Sequence, residues 1–157
     1  MKLKIAMTVA LVGFSSGQLL AANQCPTNVN PTWLTGTAIK NLVSGKYACA
    51  NRNANTKWNE KHLGAGFGPS DFEDYKLGPT NPIDPTKVMG QYTITDNGAA
   101  PGTIAYRYGT PPTFAGGTFT HQVRPQSSGI GNISYFWCNV DTGEILAVTI
   151  NTSGPQC

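Results

Sequence analysis

The run KVMGQYTITDNGAAPGTIAYRY, residues 87–108, carries the clearest structural pattern in the chain. Val88, Tyr92 and Ile94 fall on one face of an alternating segment, with Thr93 and Thr95 on the other. That two-residue period is the signature of a half-buried strand. Asp96-Asn97-Gly98 supply turn chemistry. The alternation then resumes, with Ile104, Tyr106 and Tyr108 on one face and Arg107 opposite. Two amphipathic strands joined by a turn-rich connection read as an antiparallel pair with an aromatic inner face.

The same pattern extends in both directions. Downstream, a Pro/Gly loop over 109–117 leads to a strand at Thr118–Val123. Ile133–Asn139 and Ile145–Ile150 form a hairpin across Asp141-Thr142-Gly143. Upstream, Thr35 is placed to cap a short helix, Gly36–Val43, with Ile39, Leu42 and Val43 on one side and Gly45 where it stops. Lys46–Ala50 reads as a first strand, 51–55 as a turn and Thr56–His62 as the returning strand. Gly64–Pro85, rich in Gly, Pro and carboxylates, reads as a long functional loop or surface crossover. The expected fold is mainly β: a small antiparallel meander closing into a barrel, or a sandwich, with one short N-terminal helix and two disulfides.

At the N-terminus, Lys2 and Lys4 precede an apolar run from Ile5 to Phe14, followed by a polar stretch, Ser15-Ser16-Gly17-Gln18, that leads into Leu19-Leu20-Ala21-Ala22. These are the parts of a cleavable secretory signal over residues 1–22. The apolar run is about half of the ~20 residues that span a bilayer, so no membrane anchor is expected after cleavage. Asn23-Gln24 before Cys25 speak against lipidation. Residues 23–157 then form a single domain, exported to the periplasm or beyond. Loss of Lys2 and Lys4 leaves 9 Lys/Arg against 8 Asp/Glu, a net charge of +1 in place of +3. A basic surface for nucleic acid therefore has no support. Charged residues are 12% of the chain, about half the usual share. Asn, Thr and Gly supply the polarity instead.

All four cysteines, Cys25, Cys49, Cys138 and Cys157, follow the signal, and their spacing matches no redox or zinc motif. Pairing Cys25–Cys49 and Cys138–Cys157 closes two local loops and pins both chain ends; it is the favoured connectivity among the three possible.

Several short motifs stand in series: Leu42-x-x-Gly45 before Tyr47-Ala48-Cys49, then Trp58-x-Glu60-x-His62. Asp74-Tyr75-Lys76-x-Gly78-Pro79, Pro82-x-Asp84-Pro85, Val88-x-Gly90-x-Tyr92 and Tyr135–Cys138 follow. The series resembles a family of small secreted bacterial proteins of unassigned function, over about 100 residues. The resemblance implies a β fold and export, and no catalytic residue.

Three constellations carry possible chemistry. Glu60, His62, Arg107 and His121 hold the acid, base and phosphate clamp of a small nuclease-like hydrolase. Asp71, Glu73, Asp74 and Asp84 offer oxygen ligands of the kind calcium prefers, but not at EF-hand spacing, and no metal is expected. The third is an aromatic set: Trp33, Trp58, Tyr75, Tyr92, Tyr106, Tyr108, Phe119, Tyr135, Phe136 and Trp137. Most of it belongs in the core, but consecutive Tyr135-Phe136-Trp137 must alternate faces. Trp58, Asp74, Tyr75, Tyr106, Tyr108 and Trp137 are the candidate binding residues.

No cofactor fingerprint is present. The leading expectation is a non-enzymatic exported binding domain for a small ligand, glycan or protein, meeting it through aromatics and the 64–85 segment. A nuclease-like hydrolase and a structural subunit of an extracellular assembly are the alternatives.

Overall fold

The computed structural model describes residues 25–26, 32–53, 56–77, 87–126 and 134–153. Helix α1 (Gly36–Val43) precedes eight strands: β1 (Tyr47–Asn53), β2 (Thr56–His62), β3 (Ser70–Leu77), β4 (Lys87–Thr95), β5 (Thr103–Tyr108), β6 (Gly117–Gln126), β7 (Ser134–Asn139) and β8 (Ile145–Asn151). Each strand pairs antiparallel with the next, and β8 pairs antiparallel with β1, so the sheet closes into a barrel in strict chain order. The expected signal segment and Cys157 lie outside the described residues.

The eighth strand corrects the sequence reading. Seven strands were legible, and in a seven-strand up-and-down order the first and last would run parallel. The missing strand is β3, inside the segment read as a loop. Its period is hard to see because Asp71, Glu73 and Asp74 crowd a single apolar anchor, Phe72. In the barrel Phe72 is fully buried while Asp71 is exposed. Closure also distinguishes a barrel from a sandwich and leaves no unpaired edge in the sheet.

Alternation sorts the walls. Tyr92 and Ile94 of β4, Ile104 and Tyr106 of β5, Val123 of β6, Trp137 of β7, and Leu146 and Val148 of β8 are buried inward. Gly90 shares that inner face because a Cβ there would strike the Arg107 carbonyl of β5 and sit 3.0 Å from the Phe72 ring.

One end of the barrel is plugged by α1. Thr35 is extended, and its hydroxyl accepts from the Ala38 N–H at 3.2 Å, a cap of the expected kind. Gly45, with φ of 71°, ends the helix in the left-handed region open to glycine. The helix lays Ile39 and Val43, both fully buried, onto the barrel. Its first residue touches the β4–β5 connection so closely that any side chain at Gly36 would meet the Thr95 carbonyl at 2.6 Å. Asp96 accepts from the Thr37 hydroxyl at 2.6 Å and the Thr37 N–H at 2.8 Å, fastening helix to sheet; these bonds, the hydroxyl first, hold its carboxyl below the usual carboxylate range.

The cysteine pairing departs from the favoured one. Cys25 is bridged to Cys138 of β7, 113 residues away. Loop economy favoured a local clasp, but an outward-facing Cys138 on a closed barrel is within reach of the N-terminal segment. No free thiol remains among the described residues. The bridge accords with an oxidising compartment.

Candidate functional site

The half of the barrel away from α1 is not filled. A cavity of about 470 Å³ runs from the middle of the barrel to its far end. That is roughly three times the ~150 Å³ void that admits a benzene ring. Its cause is local: β1 places two methyl groups, Ala48 and Ala50, on this stretch of inner wall, Ala50 opposite Val148 and Ala48 opposite Ile150 of β8. Eight strands give an interior just wide enough to be packed solid or to hold one small ligand. Here the α1 end is packed and the far end is hollow.

Four rings form much of the lining: Tyr106, Tyr108, Phe119 and Trp137. Tyr106 and Trp137 are stacked at 5.7 Å with 23° between planes, and Tyr108 meets Phe119 edge-on at 5.7 Å. Phe119, 43% exposed, stands towards the mouth. The two tyrosines take neighbouring inward positions on β5, as the alternation required.

The polar groups of the lining are Glu60, His121, Asn139 and Glu144. Glu60 is buried and accepts a hydrogen bond from the Tyr108 hydroxyl. Asn139 accepts from the Asp141 and Thr142 N–H groups at 2.9 and 3.1 Å, so its side chain holds the β7–β8 turn that carries Glu144. His121 is 7% exposed, and its Nδ1 has no hydrogen-bond partner; the same is true of the Trp137 Nε1. Burial lowers the His121 pKa to about 4, against a smaller opposing pull from Glu144 and Asp141. It is neutral at physiological pH.

Beneath the cavity lies a sealed polar layer. His62 is fully buried; its Nδ1 faces the Lys46 carbonyl at 3.4 Å and its Nε2 the Tyr106 hydroxyl at 2.6 Å. A carbonyl can only accept, so Nδ1 carries the proton and the Tyr106 hydroxyl donates to Nε2. Burial lowers the His62 pKa to about 4. Tyr106 is driven well above the ordinary tyrosine value, by burial first and then by the negative charge of Glu60.

The acid–base constellation is therefore divided. Glu60 and His121 reach the cavity, and His62 is locked below it with both nitrogens engaged. Arg107 is on the outside of the wall, its guanidinium 4.0 Å from the Phe114 ring centroid. The reason is parity: Arg107 is adjacent to inward-facing Tyr106. No Lys or Arg lines the cavity among the described residues.

Of the expected binding residues, Tyr106, Tyr108 and Trp137 come together in the cavity. Trp58, Asp74 and Tyr75 pair in register with Lys76, Glu60 and Asn59 across β2 and β3, and their side chains lie outside the described structure. Of the carboxylates of 71–84, Asp71 is on the barrel exterior, accepting from Gln91 Nε2 at 3.2 Å, while the Asp74 side chain and Asp84 lie outside the described residues. Phe136 is on the outer face beneath Arg124, as the alternation of Tyr135-Phe136-Trp137 demanded.

Sequence reading passed over Ala48, Ala50, Asn139 and Glu144. The alternate alanines were a usable signal, since a strand with methyls on its inner face leaves room. No protein-family model, curated protein or solved structure matches the chain.

Proposed function

We propose that this chain is an exported, non-enzymatic binding protein that takes one small, largely apolar ligand into the barrel. The observation that carries the reading is the aromatic-lined cavity of about 470 Å³. Such a volume lies within the range of small-molecule sites, which are mostly apolar with a few placed polar groups. Trp137 Nε1 and His121 Nδ1, buried without partners at this cavity, are the polar contacts a ligand would satisfy. The large Cys25–Cys138 loop fits residence in the periplasm or outside the cell.

The test is saturable binding of a neutral two-ring fluorophore, N-phenyl-1-naphthylamine. Wild-type protein is expected to bind about one equivalent. Ala50→Phe, which fills the cavity from β1, is expected to abolish binding while retaining the wild-type far-UV circular dichroism. Binding by folded Ala50→Phe equal to wild type would refute a ligand site inside the barrel.

A further inference from the structure

Resting on that reading, we propose that the ligand is a carbonyl compound, one ketone-type oxygen on a compact aromatic or alicyclic body, with that oxygen held by the side-chain donors of Trp137, Asn139 and His121.

Donors left over in the lining are the first argument. Trp137 Nε1 and His121 Nδ1 are buried without a hydrogen-bond partner among the described residues. An indole N–H only donates, so the group that completes Trp137 is an acceptor. Asn139 adds a donor of fixed identity. Its Oδ1 takes the Asp141 and Thr142 N–H groups, which settles the orientation of the amide and leaves Nδ2 uncommitted among the described residues. Burial keeps His121 neutral, and its Nδ1–H tautomer donates as well. The tyrosine hydroxyls of the lining are engaged within the wall: Tyr106 donates to His62 Nε2, and Tyr108 to Glu60.

Register gathers these donors, which is the second argument. Trp137 and Asn139 are two apart on β7 and so share the inner face, and His121 of β6 pairs directly with Asn139. The His121 and Trp137 rings are 6.0 Å apart. All three residues line the cavity, beside the rings of Tyr106 and Tyr108 and the methyl groups of Ala48 and Ala50. A carbonyl oxygen has two lone pairs and no proton, so it accepts from two such donors at once and adds no donor of its own. A buried N–H without an acceptor destabilises the site, and a carbonyl relieves that where a hydrocarbon of the same shape does not. Size fits as well, since the void exceeds one ring and accommodates a bicyclic body.

A matched pair, 1-tetralone and tetralin, differs only by C=O in place of CH2 and tests this by displacement of N-phenyl-1-naphthylamine from the signal-free protein. Tetralin is the more apolar of the two, so a wall without free donors prefers it. 1-Tetralone is expected to bind about tenfold tighter. In isotope-labelled protein, 1-tetralone is expected to move the Trp137 indole N–H proton resonance downfield, and tetralin is expected not to. Trp137→Phe keeps a ring and removes the N–H; it is expected to abolish the preference for 1-tetralone and to leave tetralin binding in place. Asn139→Asp keeps an oxygen for the β7–β8 turn and removes the amide donor, and it lowers 1-tetralone affinity in the same direction should Trp137→Phe fail to fold. A 1-tetralone affinity no higher than that of tetralin, or a preference that survives both variants, overturns the carbonyl inference and leaves the binding reading intact. No saturable N-phenyl-1-naphthylamine signal, together with no indole N–H shift on adding 1-tetralone, overturns both.

Discussion

Mild acid should destabilise this barrel, and the size of the effect follows from two side chains. The chain has two histidines, His62 and His121, and both are buried in the barrel. Burial sets each at about 4 in the folded state, against about 6.5 when unfolded. The unfolded chain therefore binds more protons between those values, and stability falls as pH drops through that window. At pH 7.5 the imidazoles are neutral in both states and contribute nothing. At pH 5 each costs about 2 kcal/mol, and the pair about 4 kcal/mol. Below pH 4 both states protonate, and the loss levels off at about 3.4 kcal/mol per histidine. With a urea slope of about 2 kcal/mol/M, the midpoint should drop by about 2 M between pH 7.5 and pH 5. Circular dichroism melts in urea at pH 7.5, 6 and 5 measure it directly. His62→Gln should remove about half of the pH dependence, and the double variant with His121→Gln nearly all of it. A wild-type midpoint that does not move between pH 7.5 and 5 would show that the histidines are not sealed as described.

Two further predictions concern the frame of the barrel. Gly90→Ala sets a methyl against the Arg107 carbonyl, which is backbone and cannot swing aside. The variant should lose about 1–3 kcal/mol in urea melts, and a midpoint equal to wild type would contradict the described β4–β5 approach. Cys25–Cys138 closes a loop of 113 residues, for which chain entropy gives about 4.7 kcal/mol. Non-reducing peptide maps should show Cys25 and Cys138 in one linked species, and Cys25→Ser should lower stability by up to that amount; a Cys25–Cys49 peptide would rule the pairing out.

Local chemistry was enough to set α1 and most of the walls. The Thr35 cap, the Gly45 stop and the two-residue period of Lys87–Tyr108 each depend on neighbours within a few residues, and each element formed where those neighbours indicated. The parity that sends Tyr106 inward and Arg107 outward is equally local. It separates Arg107 from inward-facing Glu60, His62 and His121, because adjacent strand residues face opposite sides.

What the chain order could not show was the eighth strand and what closure does. Phe72 alone, among carboxylates, gives too weak a period to mark β3, yet that strand makes the count even and lets β8 meet β1. The Cys25–Cys138 bridge depends on the fold in the same way, since segments 113 residues apart meet only on a finished barrel. The cavity is the clearest case. Ala48 and Ala50 are unremarkable in a strand, and become a void only when the opposite walls stand a barrel's width away. Periodicity is written in neighbouring residues, whereas volume depends on residues from every strand at once, and tertiary structure alone brings those together.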